Sequence, residues 1–143
     1  MLRLLVILIQ LAADSVRWCG RPNWYFCMLR STRGNLLEAP SEALVNTVNE
    51  IGVMGKDIAL MFREAFPDNA REYEAAAKAG NVRVGHILAT RNPARFGPGW
   101  ISHFPTKKHW RQPSGMEWVR TGLKDLVRVV HEKGIRSIAM PPL

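Results

Sequence analysis

The sequence has little that would support a metal centre or a disulfide framework. Among its 143 residues there are two cysteines, Cys19 and Cys27, with no second Cys or His pair spaced to complete a site. The four histidines show no H-x-x-x-H or comparable ligand spacing. We therefore predict neither a metal nor a cofactor, and a disulfide between the two cysteines has weak support.

Acidic residues are also scarce. Twelve Asp and Glu stand against twenty Lys and Arg, which gives a net charge of +8 and an isoelectric point near 10.2. This balance favours a polyanionic partner such as nucleic acid, although basic residues can serve solubility alone. With 47% hydrophobic residues, a chain of this length predicts one domain with a real core.

No apolar run is long enough to cross a bilayer as a helix. The longest, from Leu4 to Ala13, follows a basic start and resembles a secretory signal. Three interpretations are open: a start codon assigned too early, which we favour, a true signal, or an added amphipathic segment that packs on the domain. We accordingly divide the chain into an N-terminal extension, residues 1–28, and a domain, residues 29–143.

Strand and helix patterns alternate along the rest of the chain, which predicts an α/β fold. We expect Asp68 to cap the second helix, and Ser114 with Glu117 to form a capping box at the third. The last strand follows a crossover helix, so it should be parallel to a neighbour. The predicted strands are 28–34, 43–49, 82–90, 100–106 and 137–140, and the predicted helices are 57–66, 68–79 and 115–134.

The most informative segment is the strand 43–49 with the glycine-broken turn 52–58 behind it. Asn46 and Asn49 should emerge at the carboxyl end of the strand, where open α/β sheets bind ligands. Gly52 and Gly55 let the backbone approach an anion, and the helix starting near Ile58 offers free N–H groups. The segment predicts a ribose and phosphate site; the alternative is an ordinary strand-to-helix turn with amides that cap backbone groups.

Four further segments accompany this turn: Gly34-Asn35-Leu36-Leu37, Phe104-Pro105-Thr106-Lys107-Lys108-His109-Trp110-Arg111, the helix 115–134 and the end segment 135–143. On the turn and these four segments, the sequence resembles the macrodomain family in its DarG-like branch. The resemblance implies a three-layer α/β/α fold with a mixed central sheet. In the family a Gly-Cys-Gly turn, a helix and a strand follow, so we expect the C-terminal part to be missing.

The resemblance also implies the roles of site residues. A catalytic lysine matches Lys107 in Thr106-Lys107, with Lys108 as second candidate, and two solvated surface lysines as the alternative. Asn49 would face the distal ribose, and Asn35 stands where many relatives have an adenine-binding Asp. Asp57 departs from the family's usual glycine; it would cap the helix but repel a phosphate. The implied ADP-ribose-binding residues are Asn35, Leu36, Asn46, Asn49, Gly52, Val53, Met54, Gly55, Ile58 and Thr106.

A basic and aromatic cluster follows the candidate lysine. Arg and aromatic planes stack on unpaired bases, so this cluster predicts contact with single-stranded DNA; alternatively Trp110 packs beneath its loop. Its residues are Lys108, His109, Trp110 and Arg111.

The function implied is that of a cytoplasmic hydrolase that removes ADP-ribose from thymidine in single-stranded DNA. It would reverse a DarT-type toxin and would not involve a membrane. The alternatives are a module that binds ADP-ribose without turnover and an inactive fragment.

Overall fold

The computed structural model describes residues 4–12 and 26–143. These residues form one six-stranded sheet with three α-helices and a short 3-10 helix, Leu36–Glu38. The elements are β1 Leu4–Ala12, β2 Phe26–Gly34, β3 Ala43–Asn49, α1 Asp57–Ala65, α2 Pro67–Lys78, β4 Leu88–Arg91, β5 Trp100–Lys107, α3 Met116–Lys133 and β6 Ser137–Met140. Within the described ranges, no helix is long and apolar enough to cross a membrane.

The sheet is mixed, with its strands in the order β2-β1-β6-β3-β5-β4. Strands β6, β3 and β5 are parallel, whereas β1 is antiparallel to β2 and β6, and β4 is antiparallel to β5. The predicted parallel pairing of residues 137–140 is thereby confirmed. Because the three parallel strands point the same way, their carboxyl ends meet at one edge of the sheet.

Residues 4–12 form strand β1 within this sheet. Leu4 lies opposite Gly34 and Ala12 opposite Phe26, while the other side of β1 pairs with β6. Val6 from this strand is buried in the core. The domain boundary after residue 28 stays a prediction. The possible disulfide involves Cys19, which lies outside the described residues.

Helices cover both faces of the sheet, because successive side chains of a strand point to opposite sides. Leu44 of β3 joins a core cluster that contains Phe62 of α1 and residues of α2. Val45, the next residue, joins a second cluster that contains Leu126 and Val129 of α3. The predicted α/β/α layering with a mixed sheet is confirmed.

Helix α3 approaches β5 very closely. A Cβ atom built on Gly122 would lie 2.5 Å from Cζ of Phe104, a contact that no real side chain makes. Glycine at this position therefore lets the helix backbone pack directly on the aromatic ring, which is fully buried.

Three local predictions are wrong. Asp68 does not cap α2; Pro67 occupies the first helical position, and the Asp68 carboxylate pairs with Arg71 on the surface. The N-cap of α3 is Gly115, without a side-chain capping bond, so the Ser114 capping box does not form. The strand predicted from residue 82 is limited to Leu88–Arg91.

Candidate ligand-binding cleft

A cleft of about 390 Å³ opens at the carboxyl ends of β3 and β5, beside the start of α1. It is bounded by the last residues of both strands and by the glycine-containing segment that connects β3 to α1. Its lining residues are Thr47, Val48, Asn49, Val53, Gly55, Lys56, Asp57, Ile58, Ala59, Thr106, Lys107 and Trp110. The position agrees with the general rule that open α/β sheets bind ligands beyond the carboxyl ends of their strands.

Asn49 organises the segment that forms one wall of the cleft. Its Oδ1 accepts hydrogen bonds from the backbone N–H groups of Ile51 and Val53, each at 3.2 Å. Its Nδ2 donates to the Val53 carbonyl at 2.8 Å. Since this amide satisfies three backbone groups of its own loop, its main structural effect is to set the path of residues 50–53. Contact with a ribose stays a prediction.

The register between β3 and β5 changes at the cleft. Val48 lies opposite Pro105, but the next residue, Asn49, lies opposite Lys107, so Thr106 is an extra residue in β5. Such irregularities are frequent beside ligand sites because they redirect side chains. Here both Thr106 and Lys107 line the cleft.

The two adjacent lysines, Lys107 and Lys108, lie in different environments. Lys107 is half-buried and lines the cleft together with Asn49. The Lys108 ammonium lies over the ring of Trp118 in α3, 5.6 Å from its centre, and Lys108 is not among the lining residues that the described ranges supply. The geometry therefore brings the first candidate lysine, and not the second, to the loop held by Asn49.

Asp57 lies in the cleft with a left-handed backbone. Its φ is +51°, the one positive value for a non-glycine residue in the described part of the chain. Lys56, and not Asp57, is the N-cap of α1, and it makes no side-chain capping bond, so the expectation that Asp57 caps this helix is also wrong. A left-handed residue at this point is costly for most side chains and free for glycine, which explains why a glycine suits this position.

Trp110 lies at the mouth of the cleft and is 46% exposed. The Arg111 guanidinium lies 4.5 Å from the centre of its ring, and the His109 ring stacks beside it at 5.6 Å. The indole therefore does not pack beneath its loop. It forms an exposed aromatic surface between two basic groups.

Asn46 belongs to a buried polar network on the α2 side of the sheet. Its Nδ2 is 3.4 Å from Nδ1 of His103, whose Nε2 is 3.2 Å from the Thr90 hydroxyl. The Thr90 hydroxyl in turn accepts a hydrogen bond of 2.7 Å from Asn69 of α2. Burial lowers the pKa of His103 to about 3, so this imidazole is neutral at physiological pH. The network ties β3, β5, β4 and α2 together.

The structure brings together five of the ten residues predicted to bind ADP-ribose: Asn49, Val53, Gly55, Ile58 and Thr106 line the cleft. The other five are not among its lining residues in the described ranges. Asn35 accepts from the Leu37 N–H and is the N-cap of the 3-10 helix, while Leu36 and Met54 are core residues. Asn46 is in the buried network, and Gly52 lies against α2.

Sequence reasoning missed several lining residues, among them Thr47 and Ala59. Thr47 lies two positions before Asn49, and residues at this spacing share one face of a strand. Ala59 follows Ile58 in the first turn of α1. Strand periodicity and the predicted helix start were the signals from which both could have been found.

The fold and this cleft define an open α/β domain with a site of nucleotide size. Comparison with known proteins gives the family: the chain belongs to the macro domain family, whose sequence profile matches residues 45–143. The family predicted from the sequence is thereby confirmed.

Among its relatives is a DNA ADP-ribosyl glycohydrolase from Thermus aquaticus, 58% identical over 116 residues, which cover 81% of this chain and 32% of the relative. The chain thus spans about a third of the length of this relative and of a second DNA ADP-ribosyl glycohydrolase, from Mycobacterium bovis. The solved macrodomain of Thermus aquaticus DarG is 55% identical, with a TM-score of 0.70 over 72% of this chain and 68% of that one.

A more distant neighbour is Thermosipho africanus DarTG, whose structure was solved in complex with ADP-ribose. It is 26% identical, with a TM-score of 0.68 over 76% of this chain and 31% of that one. The likeness to DarG proteins therefore extends from sequence to fold.

Proposed function

We propose that the cleft binds ADP-ribose and that the protein hydrolyses ADP-ribose from thymidine in single-stranded DNA. The observation that supports this most directly is the placement of Lys107 opposite Asn49, in one cleft with the loop residues Val53 and Gly55. The similarity to DNA ADP-ribosyl glycohydrolases and to a protein solved with ADP-ribose supports the same proposal.

In this proposal the backbone of the loop and the start of α1 hold the pyrophosphate. Val53 and residues 55–58 line the cleft, and the first turn of a helix leaves N–H groups free for an anion. The distal ribose then lies toward the strand ends, between Asn49 and Lys107.

Lys107 is the proposed nucleophile. After Nζ gives up a proton, it forms a bond to C1 of the distal ribose while the glycosidic bond breaks, and the electron pair of that bond leaves with the base, which takes up a proton. Water then cleaves the bond between lysine and sugar, which releases ADP-ribose and restores the amine. The sum of these steps is the addition of one water to ADP-ribosylated DNA.

We place the DNA on the surface formed by Lys108, His109, Trp110 and Arg111. The exposed Trp110 ring with its two basic neighbours provides a face on which an unpaired base can stack. The net charge of +8 favours the phosphate backbone. A DarT-type toxin as the source of the modification, and a cytoplasmic location, belong to this proposal.

One observation favours a second candidate, a module that binds ADP-ribose without turnover. Asp57 lines the cleft, and a carboxylate there repels the phosphates of ADP-ribose.

The decisive experiment combines calorimetry with ADP-ribose and a release assay on ADP-ribosylated oligonucleotide. The wild type should bind and release, and Lys107→Ala should bind with release reduced at least a hundredfold. Lys124→Ala, which removes an exposed lysine from α3, is the matched control and should behave as wild type. Binding without release by the wild type would establish the second candidate, and the absence of both would refute the proposal.

A further inference from the structure

Tyr73 of α2 is fully buried and reaches the end of β3. Its hydroxyl donates to the backbone carbonyl of Asn49 at 2.7 Å and lies 3.3 Å from Oδ1 of the same residue. Burial raises the pKa of Tyr73 to about 12, so the phenol keeps its proton at physiological pH and acts as a donor. This contact involves Asn49, whose side chain is hydrogen-bonded to the loop backbone at Ile51 and Val53.

The loop is held on α2 at a second point. Gly52 has a φ of +84°, and a Cβ atom built on it would lie 3.0 Å from Cβ of Ala77, one helical turn after Tyr73. The loop therefore lies directly on the surface of α2, between the Tyr73 hydroxyl and Ala77. The loop is thus in contact with α2 at two points.

Tyr73 is itself fixed from the sheet side. Its ring stacks on the His103 imidazole, with a centre distance of 5.1 Å and an angle of 19° between the planes. His103 is held between Asn46 and Thr90 by the buried polar network. The hydroxyl is thus oriented by groups from three strands before any ligand arrives.

We propose that Tyr73 is a positioning residue for ligand binding: its hydroxyl fixes Asn49 and thereby the loop wall formed by Val53 and Gly55. It lies behind the cleft and is not among the residues that line it in the described ranges, so it acts through Asn49. This inference rests on the proposed function of the cleft. We therefore expect the Tyr73 hydroxyl to affect the preorganisation of the loop and not the chemical step.

Tyr73→Phe tests the proposal because it removes the hydroxyl and keeps the ring. Amide hydrogen exchange of Ile51 and Val53, whose N–H groups bind Asn49, should become about threefold to tenfold faster. The Kd for ADP-ribose and the KM for the oligonucleotide should rise by a similar factor, with a smaller change in kcat.

Val129→Ala is the control for a general loss of stability, since Val129 is buried on the opposite face of the sheet. It should lower Tm without changing these exchange rates or the Kd. Equal exchange rates and affinities in the two variants at matched Tm would overturn the inference. A wild type that fails to bind ADP-ribose would refute the proposed function, whereas the exchange rates would still decide whether Tyr73 restrains the loop.

Discussion

Asn49 lies opposite Lys107 across the parallel pair β3 and β5, one residue out of the register that holds from Ala43 to Val48. The Glu50 N–H continues the pairing by donating to the Lys107 carbonyl at 3.1 Å. The ends of the two strands are therefore joined by backbone pairing at Asn49, Glu50 and the candidate lysine. The pairing therefore places Lys107 and the start of the loop side by side on the sheet.

Replacement of Asp57 should strengthen ligand binding. Asp57→Gly removes a carboxylate from the cleft and relieves a left-handed backbone, so we expect tighter ADP-ribose binding and a free energy of unfolding raised by about 1 kcal/mol. Asp57→Asn separates the two effects, because asparagine removes the charge and tolerates positive φ without the freedom of glycine. Calorimetry and urea unfolding measure them. Unchanged affinity in both variants would show that the carboxylate does not face the phosphates.

Trp110 should matter more for DNA than for free ADP-ribose. Trp110→Leu removes the aromatic face between His109 and Arg111, and we expect oligonucleotide binding to weaken by about 1–3 kcal/mol. Fluorescence anisotropy at several salt concentrations measures the loss.

Trp100→Leu is the matched control, because the Trp100 ring also lies beside basic side chains, those of Arg91 and Lys133, but Trp100 is at the amino end of β5, away from the cleft. An equal loss of oligonucleotide affinity in the two variants would argue against a DNA surface at Trp110.

The contact between α3 and β5 should not accept a methyl group. Gly122→Ala brings a Cβ within 2.5 Å of the buried Phe104 ring, so we expect destabilisation of about 1–3 kcal/mol in urea unfolding. Gly34→Ala, where no heavy atom lies within 4 Å of the added carbon, is the control and should change stability far less. Phe104→Leu combined with Gly122→Ala should recover part of the loss; a purely additive double variant would exclude the clash as the cause.

Strands and helices that have a clear local pattern of apolar residues could be predicted from the sequence. The bounds of β3 and β6 agree with the prediction because both are short, buried apolar runs, and α3 follows helical periodicity over eighteen residues. The strand predicted from residue 82 fails for a non-local reason. The Val84 N–H donates to the Glu50 carboxylate and the Ile87 N–H to Asp125, so these backbone groups are satisfied by distant side chains and not by a strand partner.

Only part of the candidate site could be predicted from local sequence patterns. The position of the glycine-broken turn beside Lys107 followed from strand ends and the motif, because parallel strands end at one edge. The extra residue at Thr106 depends on pairing between strands, which no local pattern records. The same holds for Asn46, whose apolar surroundings in sequence gave no sign of His103 as its neighbour.

Acid should destabilise the fold through His103 before it affects the carboxylates. The pKa of His103 is lowered by burial to about 3, against about 6.5 in the unfolded chain, so the unfolded state binds more protons between these values. The contribution of His103 to the free energy of unfolding is therefore fully present above pH 6.5. Below this pH it falls by up to about 1.4 kcal/mol per pH unit. Glu42, whose pKa is lowered by hydrogen bonds from Arg136, contributes only at lower pH.

Urea unfolding at intervals between pH 7 and pH 5 measures this slope. His103→Gln removes the titrating group, so its free energy of unfolding should depend less on pH in this range even though the variant is less stable overall. Ser102→Ala, in the neighbouring and equally buried position, removes no titratable group and should keep the wild-type slope. If the free energy of unfolding depends on pH equally in His103→Gln and in the wild type, the acid sensitivity arises from other groups. Protonation of His103 would then not be coupled to unfolding.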